Sequence, residues 1–100
     1  MNSCPNCQKN KKQARDEELV KNLKTRLNKI SGQINGINKM IDENRYCVDV
    51  LTQISAVESA LREIGFIVLE DHLKTCVSSD IKADDYSSLE EAVAICKRLV

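Results

Sequence analysis

Residues 20–41, VKNLKTRLNKISGQINGINKMI, decide the fold. Val20, Leu23, Leu27, Ile30, Ile34, Ile37 and Ile41 recur at alternating spacings of three and four, three heptads of an apolar stripe. That period belongs to one face of a helix, not to the alternation of a strand, and such a face is buried only against another helix. Asp16, Glu17 and Glu18 stand before it, where carboxylates meet the positive end of the helix dipole. Gly32 and Gly36 interrupt the helix at a propensity cost of about 1 kcal/mol each. Close approach of a neighbouring backbone is the packing reason expected for them.

A second stripe follows a break at Asp42-Glu43-Asn44. Val50, Ile54, Val57, Leu61, Ile64 and Val68 repeat at four and three and run on in phase to His72 and Cys76, which predicts a helix over 46–79. After Asp84-Asp85, Ser87 and Glu90 fit a capping box and open a short third helix to about Leu99, with Lys97 and Arg98 in its last turn. The expected class is all-α, a three-helix protomer. Val48, Leu51, Ile67 and Leu69 widen the second apolar face beyond what one hairpin covers, so a two-fold dimer forming an antiparallel four-helix bundle is expected.

Composition narrows the rest. With 100 residues, 42% hydrophobic and 30% charged, the chain suits one small domain, taken as residues 15–100, preceded by a flexible arm over 1–14, MNSCPNCQKNKKQA. Three aromatics (Tyr46, Phe66, Tyr86), three glycines and one proline argue against a sandwich or barrel. No signal peptide and no apolar run of about 18 residues is present, which predicts no membrane association, and an odd count of five cysteines points to the reducing cytoplasm. The net charge of zero hides an uneven layout: residues 1–41 carry nine basic and three acidic side chains, residues 42–91 four and twelve. A basic first segment on an acidic body is a footprint for nucleic acid; a solvated helix face would give the same pattern.

His72 and Cys76, four apart on a helix, lie one above the other and can share a ligand. Cys47 is the obvious third donor, but it stands 25 residues earlier on the same helix, about 37 Å away. One chain cannot bring all three together. An antiparallel pairing of two copies of this helix, crossing near Ala60 and Leu61, does so twice. Two thiolates and one imidazole select a soft cation of low coordination number, for which Cu(I) is the best match; Zn(II) takes a fourth ligand. On spacing alone the alternative stands that Cys47 and Cys76 are small core side chains and His72 a solvated one. Cys4-Pro5-Asn6-Cys7 is a lone CxxC, able to chelate metal, exchange thiols or sit idle, and Cys96 falls in the apolar period of the last helix.

TRLNKISGQINGINKMIDENRYCVDVLTQISAVESAL, followed by LEDHLKTCV, resembles the CsoR/RcnR family of bacterial metal-sensing repressors, in its copper-sensing branch, over about residues 20–99. The resemblance implies a homotetramer built as a dimer of dimers whose metal-free form binds operator DNA and whose Cu(I)-bound form releases it. It implies metal ligation by Cys47 of one protomer with His72 and Cys76 of its neighbour, with supporting roles for Tyr46 and for Glu91, or alternatively Glu90. DNA contacts are implied at Arg26, Lys29 and Arg62. One departure weakens the DNA assignment: the Gln-Val-Arg-Gly usual in the family reads Gln33-Ile34-Asn35-Gly36 here. The Cys4/Cys7 arm is not a general family feature.

Three functions compete: a Cu(I)-responsive repressor, a repressor of the same fold sensing persulfide or another thiol-reactive species through Cys47 and Cys76, and a cytosolic copper buffer that never meets DNA. The second has no need of His72. An enzyme is not expected, because no acid–base pair beside a nucleophile can be placed in one pocket.

Overall fold

The computed structural model describes residue 11 and residues 14–100, all helix and connecting turns. Helix α1 spans Glu17–Asp42 and α2 spans Cys47–His72. A π-helical turn, Leu73–Val77, continues α2 without a break into the short α3, Ser78–Lys82, and α4 runs Ser87–Leu99. The chain from Cys47 to Lys82 is thus one rod about 54 Å long. It extends past the expected end at 79, and the expected three helices are present as three rods. Ser78 marks the π turn: its N–H bonds the carbonyl of Leu73, five residues back.

The two inter-rod turns have the same construction. After α1, Asn44 takes a left-handed φ of 55°, the Arg45 N–H reaches the Met40 carbonyl at 2.9 Å, and the Asn44 N–H reaches the Ile41 carbonyl at 3.1 Å. After α3, Asp84 takes φ 60°, with Asp85 N–H to the Asp80 carbonyl and Asp84 N–H to the Ile81 carbonyl, both 2.9 Å. Both are Schellman endings, in which the left-handed residue turns the chain so that the last free carbonyls of the helix find donors. Asn and Asp tolerate that conformation better than other side chains, which is why the break at Asp42-Glu43-Asn44 falls where it does.

Packing divides each heptad stripe in two. Leu23 and Ile30 of α1 and Val57 and Ile64 of α2 are buried together, with Leu19, Ile37, Ala60, Ile67 and Val68 packed around them. The companion rows are exposed: Leu27, Ile34 and Ile41 on α1, and Val48, Leu51, Ile54 and Leu61 on α2, with Ile41 and Leu51 about 60% accessible. The most deeply buried apolar side chains are Val77 of the π turn and Ala92 of α4, on two elements that pack against each other.

One local expectation is corrected, and another is not met within the protomer. Ser87 and Glu90 form no capping box. Ser87 lies inside α4, and the Asp85 carboxylate accepts both its N–H (3.0 Å) and its hydroxyl (2.7 Å), a charged acceptor outcompeting the reciprocal arrangement. Gly32 and Gly36 have open space where a side chain would point, so no backbone approaches them within the protomer; the tightly packed glycine is Gly65, where an added Cβ would lie 2.8 Å from Leu99 Cδ2. The missing side chain at Gly65 lets the C-terminal end of α4 lie down on α2.

Replacing Asp84 by glycine relieves the left-handed strain and removes a negative charge from the negative end of a helix. Urea unfolding at fixed protein concentration is expected to give a gain of about 0.5–1 kcal/mol. Asp84→Ala, which keeps the strain without the local hydrogen-bonding side chain, is expected to lose stability.

Candidate metal centre and basic surface

Cys47 is the first residue of α2 and is exposed. It lines a shallow, largely apolar cleft of about 350 Å³ with Ile41, Asn44, Arg45, Val50 and Leu51, at the tip of the α1–α2 hairpin. Tyr46, immediately before it, ends the turn and is 70% accessible.

His72 and Cys76 lie at the far end of the same rod. His72 is the last residue of α2, half-buried, and Cys76 sits in the π turn with a free, partly buried thiol. At 100° per residue, Cys47, Leu51, Ile54, Leu61 and His72 fall within about 40° of one line along α2. Cys47 and His72 therefore share the stripe that carries the exposed apolar row. Among the described residues no three His, Cys, Asp or Glu side chains converge in a way that could hold an ion within one protomer. The donors divide as the sequence spacing requires: one at one end of α2, two at the other.

At the π turn the Thr75 hydroxyl donates to the Asp71 carbonyl at 2.8 Å, the same back-bonding to the fourth residue before that Thr52 makes to Val48 within regular α2. Lys11 closes over the same turn. Its Nζ donates to Asp71 Oδ2 at 3.0 Å, to Thr75 Oγ1 at 3.1 Å and to Cys76 Sγ at 3.5 Å, and the Lys11 and Asp71 side chains retain only 15% and 18% of their exposure. Sequence reasoning missed Lys11, because it is one of several lysines in a segment without periodicity and its partners lie some 60 residues away.

Helix α4 packs against both α2 and the π turn, and Glu90 and Glu91 stand on its first turns, both on the exposed side. A soft-cation donor set is present in kind: two free thiols, one imidazole, and carboxylates on the helix that packs beside the pair. Cys4 and Cys7 lie outside the described residues. Cys96 is free and half-buried on α4.

The basic candidates divide. Arg26 spans the α1–α2 groove, its Nη1 3.0 Å from Glu63 Oε1 and its Nε 3.0 Å from Asn22 Oδ1. Lys29 and Arg62 are exposed, and Asn35, the neutral substitute for a usual arginine, is exposed on α1 as well. Arg26, Lys29 and Glu63 line a groove of about 360 Å³ floored by Ile30 and Ala60. One of the three basic candidates is thus already partnered by a carboxylate. No helix among the described residues is long and apolar enough to cross a membrane.

The chain is similar to proteins of known role along most of its length. It is 42% identical over 76 residues to the copper-sensing transcriptional repressor CsoR of Bacillus subtilis (strain 168), covering 76% of this chain and 72% of that protein. It is 45% identical over 82 residues to the copper-sensing transcriptional repressor RicR of Mycobacterium tuberculosis, covering 79% and 85%. Among solved structures, the copper-sensing repressor CsoR with Cu(I) from Geobacillus thermodenitrificans NG80-2 superposes with a TM-score of 0.79 at 40% identity, over 86% of this chain and 91% of that one. The nickel-responsive transcriptional regulator InrS superposes with a TM-score of 0.68 at 28% identity, over 90% and 100%. The family described as metal-sensitive transcriptional repressor matches residues 20–98, and the chain belongs to it.

Proposed function

We propose that this chain is a copper(I)-responsive transcriptional repressor of the cytoplasm, with residues 15–100 as its single DNA- and metal-binding domain and no catalytic activity. The observation that carries the reading is the division of donors along α2: Cys47 at its start, His72 and Cys76 at its far end, with an exposed apolar row between them on the same side. Pairing two copies antiparallel through that row would cover it and bring Cys47 of one protomer beside His72 and Cys76 of its partner, twice per dimer. The exposed row on α1 offers further area, which supports assembly of dimers into a tetramer.

Cu(I), when bound, supplies soft, low-coordinate bonding between the two protomers. The chain's own residues do the rest. Cys47 lies next to the α1–α2 turn, so a tie at its sulfur fixes the hairpin tip of one protomer against the partner's π turn. His72 presents one ring nitrogen to the site and has the other free for a carboxylate; Glu91, or Glu90, on α4 is the group suited to orient it. Since α4 packs on α2 and the π turn, that link would tie its position to site occupancy, and a tetramer with two packings of α4 has a route from metal to DNA-binding shape. Tyr46, beside Cys47, would cover the site from the turn.

The donor set favours copper over nickel. The relative responsive to nickel is the more distant in sequence, at 28% identity against 37–45% for the copper-sensing proteins. This chain has one histidine, whereas a harder divalent ion takes more nitrogen or oxygen donors. Operator DNA would be held by phosphate contacts from Lys29 and Arg62, with Arg26 contributing as far as Glu63 releases it.

Anaerobic titration is expected to saturate at about one Cu(I) per chain at the tightest site and to release DNA from the region upstream of its own gene, as two thiolates and one imidazole shared across a dimer allow. A variant lacking Cys4 and Cys7 separates any copper held by the arm. Cys47→Ser in that background is expected to bind DNA and fail to release it; release by copper at the same concentration overturns the reading. Release by sulfide donors with copper excluded would instead identify a thiol-reactive sensor.

The basic surface is tested by fluorescence anisotropy at several salt concentrations. Lys29→Ala is expected to weaken binding on all sequences and to flatten the salt dependence by about one unit of slope per contacting protomer. Glu63→Gln, which frees Arg26 from its carboxylate, is expected to tighten binding.

A further inference from the structure

We propose that Lys11 is a positioning residue of the copper site, a hydrogen-bond donor to the Cys76 sulfur that strengthens when metal is bound and so ties the chain ahead of α1 to site occupancy. The inference rests on Cys76 being a ligand, as proposed above, and the experiment below separates the two.

The ammonium of a lysine has three hydrogens to donate, and here three acceptors surround it: the Asp71 carboxylate, the Thr75 hydroxyl and the Cys76 sulfur. Each partner has a separate job. Asp71 supplies the opposite charge that draws the lysine out of water. The Thr75 hydroxyl hydrogen is already committed to the Asp71 carbonyl, which leaves its oxygen free to accept. The third hydrogen is then directed at Cys76 Sγ, a weak acceptor that a lysine on a free surface would not choose over water. The three acceptors lie on one side of the rod because the π turn carries Thr75 and Cys76 round beside Asp71, and burial of the lysine keeps water from taking their place.

A thiol is a poor partner for an ammonium, whereas a metal-bound thiolate keeps lone pairs and most of a negative charge and is a good one. Loading forms a bond from Cys76 Sγ to the cation, any proton on the sulfur leaves to water, and no electron is transferred. The Lys11 contact is kept and becomes charge-assisted. Hydrogen bonds from groups behind a metal ligand characteristically alter metal affinity by about 10- to 100-fold, and a partly exposed donor belongs at the lower end. Because coupling is reciprocal, whatever Lys11 adds to copper affinity, copper adds to the docking of Lys11. Lys11 stands four residues before Arg15 and six before the start of α1, the helix that bears Lys21, Lys24, Arg26 and Lys29. Tightening the Lys11 contact therefore restrains the approach to the most basic helix of the protein.

The test uses the full chain. Cu(I) affinity is measured by competition with a chromogenic chelator for wild type, Lys11→Met, Lys11→Arg and Asp71→Asn, with circular dichroism as a check on folding. Lys11→Met is expected to weaken Cu(I) binding about tenfold, with Asp71→Asn moving the same way and Lys11→Arg retaining most of the affinity. In parallel, trypsin cleavage after Lys11 is followed by mass spectrometry in wild type and in Cys47→Ser. Cu(I), or Ag(I) as a redox-silent substitute, is expected to slow that cleavage in wild type and to leave it unchanged in Cys47→Ser. Equal Cu(I) affinity in wild type and a folded Lys11→Met, or cleavage after Lys11 that ignores the metal, overturns the role of Lys11 even if Cys47→Ser and Cys76→Ser lose copper. Unchanged copper affinity in Cys76→Ser overturns the site reading itself.

Discussion

A pair of helices with seven-residue apolar repeats has two rows of side chains to bury and, as a hairpin, one interface to bury them in. Everything else in this protein depends on that mismatch. Leu23, Ile30, Val57 and Ile64 take the interface, and Leu27, Ile34, Ile41, Leu51, Ile54 and Leu61 are left facing water. Six large aliphatic side chains left 38–61% exposed forgo roughly half of the 1.5–3 kcal/mol that full enclosure gives each. That is comparable with the whole stability of a small domain. The exposed rows thus suit a core shared with a second copy, and the proposed metal site at the two ends of α2 would use the same pairing.

Regular helix is given up at one end of the rod. The ladder widens over Leu73–Val77, and Cys76, the Lys11 contact and the face that receives α4 all come from this one turn. Gly65 completes the seat for α4 by leaving room for Leu99. The helix therefore rests on a glycine notch and on the same widened turn that carries Cys76.

How much of this the sequence disclosed follows from the range of the forces involved. The heptads at 20–41 and 50–68 announced both long helices, because periodic burial repeats over many residues and leaves a readable trace. The break at Asp42-Glu43-Asn44 shows where one apolar stripe stops and the next begins, whereas the left-handed backbone at Asn44 and Asp84 and the end of the second rod at Lys82 come from the structure. Cys47, His72 and Cys76 stand out because a rare residue at a helical interval is informative; the copper-sensing relatives support copper as the metal to which the chain responds. The capping of α4 was misread, since Asp85 and Glu90 are both plausible partners for Ser87 and only geometry chooses between them. The π turn left no signal, because Thr75 back-bonding is compatible with either ladder. Lys11 was hidden for the opposite reason: its contacts bridge 60 to 65 positions, and nothing local marks one lysine in a basic arm.

The widened turn also sets an angular phase. A π turn amounts to one residue more than the α ladder needs, so everything after Val77 stands about 100° further round the axis than an uninterrupted helix would place it. The direction in which the rod hands the chain to α4, and hence the side of the molecule on which α4 comes to rest, is fixed by a single inserted position. Shortening Leu73–Val77 by one residue would leave every helix with the same length and the same cap while turning α4 toward a different neighbour. In this architecture the angular relation between His72 and α4 is set by the length of one turn, and insertions or deletions there would move α4 round the rod while leaving the helices themselves intact.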